Sequence, residues 1–294
     1  MSIPVVFVCS ENDFIKLKTH ISKYKERISN NIVIIGKASL KNLCSDDIDI
    51  TFFDEDKLLP GLTFSKIKKL IIKRNPNPWR TGWYFQQFLK MAYSFICTEP
   101  YYLIWDADTI PLNKYDSTNL SFDVKTEYRK SYFDTINKLF PELIKKSSYS
   151  YISEHMLIDS KIMRELINKI QEIIPDKPFY EIIMDKIETD ELSGAGFSEF
   201  ETYGTYVQFY HPKLYKIRKW YSLRDGNDWC TYDMLDDKME KWLRKSFDAI
   251  SFDNWQNFDK AKSDFIIKMN YRLKYETTLF IYRCIRKFNK IIYK

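Results

Sequence analysis

Two hydrophobic rhythms alternate along this 294-residue chain. Short, β-branched apolar runs read as buried strands, and longer stretches with apolar residues three and four apart read as helices. Residues 5–9 form the first strand, and 11–29 the first helix, capped by Ser10 or Asn12. Residues 31–36 form a second strand ending at glycine. A third, 48–53, runs into the acidic loop Asp54-Glu55-Asp56. Helical spacing follows over 62–74. After the proline-broken loop 75–78 it returns over 82–97, where Phe85, Phe88, Leu89, Ala92, Phe95 and Ile96 share a face. Tyr101–Trp105 is another apolar strand. Strands alternating with helices over the first 110 residues predict βαβ units and a mostly parallel sheet. Further on, helices are expected over 131–146, 159–174 and 178–190, a strand over 149–153, and a helix after the turn 193–196. No repeat of fixed period appears, and no linker divides the chain into independent domains.

Composition narrows this picture. Hydrophobic residues at 45% and charged residues at 29% support a packed core and exclude global disorder. Aromatics reach 17%, with 21 Tyr and 21 Phe, so rings are expected to line surfaces or a cleft, where they stack on sugars, bases or lipid headgroups. The five cysteines, Cys9, Cys44, Cys97, Cys230 and Cys284, are scattered and form no C-x-x-C pair. That argues against a disulfide scaffold or structural zinc and fits a reducing, cytoplasmic setting. The opening residues do not read as a signal peptide, and no apolar run approaches the roughly 18 residues of a spanning helix.

Candidate chemistry centres on Trp105-Asp106-Ala107-Asp108. A buried strand runs into two aspartates at i and i+2, which point the same way in an extended chain. Their oxygens are hard ligands suited to Mg²⁺ or Mn²⁺, and such a metal can bridge to a diphosphate and take up leaving-group charge. The motif also ends a strand after βαβ units, where α/β sheets place ligands.

This arrangement resembles the nucleotide-sugar-dependent glycosyltransferases of the GT-A fold. More narrowly, three blocks resemble bacterial glycosyltransferases found with capsule and lipopolysaccharide genes: Thr81-Gly82-Trp83-Tyr84-Phe85-Gln86-Gln87, the Asp106–Asp108 block, and Phe197-Ser198-Glu199-Phe200-Glu201-Thr202-Tyr203-Gly204. A weaker block is Glu154-His155-Met156-Leu157, with Glu154 standing where the family more often has histidine. The resemblance spans roughly residues 3–212. It implies a GT-A, Rossmann-like mostly parallel sheet flanked by helices, with a donor half over 1–112 and an acceptor half over 113–225. It also implies transfer of a sugar from a nucleotide diphosphate donor, most readily a UDP-sugar, to a surface glycan or lipid-linked glycan.

Within that frame, Ser10 and Asp13 follow strand one, where such enzymes seat base and ribose, although Ser10 equally caps a helix and Asp13 favours its positive end. Gln86 and Gln87 are candidates to hold donor hydroxyls. Asp106 and Asp108 are the metal and donor ligands, with His211 a candidate to complete the metal site. His155 is a candidate acceptor contact. Ser198-x-x-Glu201 reads as a capping box, which leaves Glu199, in the first turn without capping duty, as the favoured general base of an inverting transfer, with Glu201 and then Asp185 or Asp190 as its rivals. A retaining enzyme, or a non-catalytic sugar-nucleotide or glycan binder, is the alternative.

Charge sets the C-terminus apart. Residues 261–294 carry nine lysines and arginines against two acids, while the whole chain is only +6, so the body is close to neutral. In this extension, 226–294, Ile281, Cys284, Ile285, Phe288 and Ile292 recur at helical spacing beside Arg283, Lys287, Lys290 and Lys294. Such a basic helical tail suits peripheral docking on the anionic inner face of a membrane, or packing on the domain. The near-neutral body speaks against nucleic acid as a partner.

Overall fold

The structure is a computed structural model. It describes residues 3–45, 47–145, 147–224, 226–228 and 230–252, together with Thr277, Phe280, Ile281 and Cys284. Four β-branched or aromatic runs, β1 (Val5–Val8), β2 (Ile32–Gly36), β3 (Ile50–Asp54) and β4 (Tyr101–Trp105), pair in parallel in the order β3-β2-β1-β4. The crossovers are helical: α1 (Glu11–Thr19) and α2 (Ile21–Arg27) after β1, α3 (Leu40–Cys44) after β2, and α4 (Phe64–Ile72) and α5 (Thr81–Ala92) after β3. The expected α/β class and mostly parallel sheet are therefore present.

Side-chain alternation divides the core into two layers. Val6, Val33, Ile35, Tyr102 and Ile104 face α4 and α5, and Val5, Phe7, Ile32, Ile34 and Leu103 face Phe14, Leu17, Tyr24 and Leu40 of α1–α3. The single first helix expected over 11–29 is two helices. The chain bends at His20 (φ −116°, ψ 15°), which packs edge-on against Tyr232 at 4.5 Å.

Beyond β4 the chain makes β5 (Thr109–Pro111), β6 (Ser121–Val124) and α6 (Lys130–Leu139), and then β7 (His155–Asp159). β7 closes the sheet antiparallel to β4, pairing Trp105 with His155. The strand expected over 149–153 is absent. Only an isolated bridge forms there, Ser150 to Lys125, because the Tyr151 ring packs on a helix instead. Helices α7 (Ser160–Ile173), α8 (Phe179–Lys186) and α9 (Glu199–Tyr210) add Leu166, Ile183 and Tyr203 to the first layer. Asp159 caps α7 through the N–H groups of Lys161 and Ile162.

Smaller sheets complete the fold. β8 (Lys216–Lys219) runs parallel to β6, and after β9 (Ser222–Leu223) and α10 (Asp237–Leu243) comes β10 (Ala249–Ser251), which pairs with both β5 and β9. The expected boundary at 225 falls between β9 and β10, inside this sheet. The basic tail over 277–294 lies mostly outside the described residues, including Arg283, Ile285, Phe288 and Ile292. Among its described members, Phe280 and Ile281 are helical and exposed. No described helix is long and apolar enough to cross a membrane.

Gly204 has a structural reason to be glycine. A Cβ there would overlap the Tyr151 ring, which is fixed by a 2.7 Å hydrogen bond from its hydroxyl to Gln208 Oε1. Gly204→Ala is expected to destabilise the protein by about 1–3 kcal/mol, the usual cost of overpacking. Thermal melting of the variant against the parent protein checks this.

Candidate active site

The strand order reverses between β1 and β4, so the chain leaves their C-terminal ends in opposite directions and opens a crevice there. A cleft of about 940 Å³ occupies that crevice. Val8 and Asp13 from the β1 side, Asp106 and Asp108 from the β4 side, and Glu199 and Glu201 from α9 line it. Helix α5 forms one wall with Gln86, Gln87 and Lys90. Its volume lies at the upper end of ordinary ligand sites and has room for more than one small ligand.

The Asp106–Asp108 turn is pinned from three sides. The Asp106 N–H donates to Glu154 O at 2.8 Å, and the Phe252 N–H donates to Asp108 O at 2.9 Å. Thr109 Oγ1 donates to Asp108 Oδ1 at 3.2 Å and lies 2.8 Å from Ser251 Oγ. Glu154 holds its carbonyl in place from a left-handed backbone conformation (φ 62°), unusual for glutamate. Its carboxylate pairs with Lys125 and accepts from Ser222 Oγ at 3.0 Å, which secures that conformation.

Lys90 is the electrostatic centre of the cleft. It is buried, with its ammonium 2.9 Å from Asp106 Oδ1, 3.0 Å from Glu199 Oε1 and 4.9 Å from the centre of the Phe200 ring. Burial alone would push an ammonium toward neutrality. Here the carboxylates of Asp106 and Glu199 outweigh burial and hold Lys90 above the ordinary lysine range, so it stays charged. Lys90 thereby ties the aspartate motif to the candidate base.

The two glutamates of α9 are divided as the capping pattern implies only in part. Ser198 Oγ accepts from the Glu201 N–H at 3.2 Å, the first half of a capping box. The Glu201 carboxylate does not return to the cap. It accepts from Ser150 Oγ at 2.5 Å and lies 3.4 Å from Lys145 Nζ. Burial pushes its carboxyl up, against the opposing effects of Ser150 and Lys145. Glu199 is fixed through Gln87, whose Oε1 accepts the Glu199 N–H at 3.0 Å while its Nε2 donates to Trp83 O at 3.2 Å. Gln87 thus spends its amide on placing α9, and Gln86 is the α5 glutamine left half-buried in the cleft wall.

Other candidates sit elsewhere. Ser10 caps α1 and donates to Asp13 Oδ2 at 2.7 Å; Asp13 lines the cleft and Ser10 does not. His155 is buried away from the cleft lining. Its Nε2 is 2.8 Å from Asp123 Oδ2, and its ring stacks on Trp105 at 4.6 Å. Asp123, itself paired with the half-buried Arg218, engages only Nε2, and Nδ1 is buried without a partner; His155 sits in the β4–β7 pairing rather than in the cleft lining. His211 is the C-cap of α9, 3.4 Å from Glu165 Oε1, and does not line the cleft that holds Asp106 and Asp108.

Among the described residues no cluster of three or more His, Cys, Asp or Glu is arranged to hold a metal. The two aspartates still fit a hard divalent ion of the kind that takes one or two carboxylates and completes its shell with water and substrate phosphate oxygens. Asp106 keeps 36% of its side chain exposed to the cleft despite its bond to Lys90.

Sequence pattern overlooked several lining residues. Lys90 was legible as a lysine amid the apolar run of α5. Arg80, Trp79, Arg129 and Tyr128, also on the cleft, carry no sequence signal beyond the richness in rings.

Residues 4–270 match a family of unknown function, DUF6492. The chain belongs to this family. No curated protein matches. Among solved structures, the DUF6492 chain is similar to mouse xyloside xylosyltransferase 1 (11% identity, TM-score 0.41, covering 86% of this chain and 98% of that one). It is also similar to the galactosyltransferase LgtC in complex with donor and acceptor sugar analogues (11% identity, TM-score 0.41, covering 92% and 95%). A third is GlyE, a glycosyltransferase of Streptococcus pneumoniae TIGR4 (11% identity, TM-score 0.40, covering 97% and 64%).

Proposed function

We propose that this DUF6492 protein is a metal-dependent glycosyltransferase that moves a sugar from a nucleotide diphosphate sugar, a UDP-sugar by preference, to a bacterial surface glycan. The observation that carries the reading is the placement of Asp106 and Asp108 at the end of β4, at the switch point, in one cleft with Glu199. Base and ribose lie on the β1 side near Asp13. Asp106 and Asp108 would hold Mn²⁺ or Mg²⁺, and the chemistry such an ion would supply there is charge neutralisation on the diphosphate leaving group. Gln86 faces donor hydroxyls. Glu199, fixed by Gln87 and Lys90, accepts the proton of the acceptor hydroxyl as it attacks the anomeric carbon, giving inversion. The bond from Glu199 to Lys90 also suits a retaining reaction in which this carboxylate only positions the lysine; the anomeric configuration of the product, read by NMR, separates the two.

The test begins with binding. UDP with Mn²⁺ is expected to raise the melting temperature, since a ligand that binds only the folded state stabilises it by mass action. Slow release of UDP from UDP-sugars, accelerated by acceptor, follows. A protein that binds UDP but neither hydrolyses nor transfers any donor is a binder, and the enzymatic reading falls. The same reading places the protein at the cytoplasmic face of the membrane through its basic tail. Salt-sensitive binding to vesicles containing phosphatidylglycerol, absent for neutral vesicles, is the expected result.

A further inference from the structure

We propose that the cleft has a second, anion-binding subsite, built by Arg80 and Arg129, that receives a carboxylate or phosphate carried by the acceptor glycan. The proposal rests on the glycosyltransferase reading for the word acceptor, and on geometry for the anion. Arg80 precedes α5 and Arg129 precedes α6, and both line the cleft. They flank one aromatic pair, Trp83 and Tyr132, stacked at 6.5 Å with a 20° interplanar angle. The Arg80 guanidinium lies 4.1 Å from the centre of the Trp79 ring and 5.4 Å from that of Trp83, and the Arg129 guanidinium lies 5.8 Å from that of Tyr132.

Neither arginine has a carboxylate within salt-bridge distance among the described residues. Their neighbour Arg224 differs, since it pairs with Glu127. Arg80 Nε, moreover, is buried with no hydrogen-bond acceptor. Both guanidinium groups line the cleft, and a guanidinium makes its strongest hydrogen bonds with an anion. The positive ends of α5 and α6 add to the same field, because neither Arg80 nor Arg129 caps its helix with a side-chain hydrogen bond.

Position separates this subsite from the diphosphate. From Arg80, its N-cap, α5 follows the cleft wall to Lys90, ten residues on or about 15 Å along the helix. Lys90 touches Asp106, so a diphosphate seated at the aspartates lies at the far end from Arg80. The stacking of Arg80 on Trp79 and Trp83 keeps its charge at that end. Also on the cleft, the rings of Trp79 and Tyr128 keep 61% and 66% exposure, with one face of Trp79 carrying the Arg80 guanidinium and one face of Tyr128 stacked on Phe133 at 5.3 Å. Aromatic faces take the apolar side of a pyranose ring, and a planar guanidinium takes a carboxylate or phosphate with two hydrogen bonds. Together they recognise an acidic sugar.

The experiment measures binding to the full chain by calorimetry, with UDP plus Mn²⁺ as the donor probe. The glycan probes are a hyaluronan tetrasaccharide for uronate, a phosphorylated mannose oligosaccharide for phosphate, and chitotetraose as the neutral control. At least one acidic probe is expected to bind tenfold or more tighter than chitotetraose, and which one does so identifies the anion. Arg80→Gln, Arg129→Gln and the double variant are expected to remove that preference progressively while leaving UDP affinity unchanged. Equal binding of acidic and neutral probes by the parent protein overturns the subsite, as does a preference that survives in the double variant. A parallel loss of UDP affinity overturns it too, by returning the arginines to the donor. An acidic preference that depends on the arginines in a protein that binds no UDP supports the subsite and sinks the glycosyltransferase reading instead.

Discussion

Asp106→Asn and Asp108→Asn are each expected to reduce sugar transfer by at least about 10²-fold, the scale on which a preorganised charge-stabilising group is lost. Both substitutions keep side-chain size and remove one negative charge. Neither should unfold the protein. Asp106 is partly exposed, its backbone N–H still meets Glu154 O, and Lys90 retains Glu199 as a partner. Asp108 is held through its backbone carbonyl by the Phe252 N–H, which asparagine preserves. EDTA should reproduce the loss, and the thermal stabilisation given by UDP with Mn²⁺ should fall in both variants. The two are not equivalent. Asp106→Asn also frees half of the Lys90 ammonium, so its residual activity should depend less on added Mn²⁺ than that of Asp108→Asn. Full turnover in EDTA, or in both variants, removes the metal from the mechanism.

The fold and the site were legible to different degrees for physical reasons. Three strands of the parallel sheet are buried on both faces, so Val5–Val8, Ile32–Gly36 and Tyr101–Trp105 read as continuous apolar runs and their limits follow. The strand His155–Asp159 hides because two of its five residues are polar, and the burial of His155 depends on Asp123, 32 positions away. The bend at His20 is a tertiary event, set by Tyr232. In the site, the aspartates were visible because strand and motif adjoin in sequence. The bond between Lys90 and Glu199 joins residues 109 positions apart, and the Glu201–Ser150 bond joins residues 51 positions apart. Local spacing therefore assigns the cap of α9 correctly but says nothing about where its carboxylates turn.

That last point governs the other large effect, at Glu199. Glu199→Gln is expected to lower turnover by about 10²-fold or more, the scale of a lost general base, with UDP affinity nearly unchanged because Lys90 keeps Asp106. Glutamine preserves the shape and can still face the Lys90 ammonium through its carbonyl oxygen, so folding should survive. Glu201→Gln is the control. Its backbone N–H still reaches Ser198 Oγ, and an amide oxygen can still accept from Ser150. The expected loss of turnover is small. Its signature is in pH instead. Burial pushes the Glu201 carboxyl up, so the folded state binds its proton more tightly than the unfolded chain does. This contribution to stability is full below the ordinary glutamate range and is lost as pH rises through the raised folded value. Glutamine carries no such titration. The melting temperature of the parent protein should therefore fall relative to that of Glu201→Gln as pH rises above about 4.3. Loss of turnover in a well-folded Glu201→Gln, with Glu199→Gln active, would exchange the two roles and make the Ser150-bound carboxylate the base.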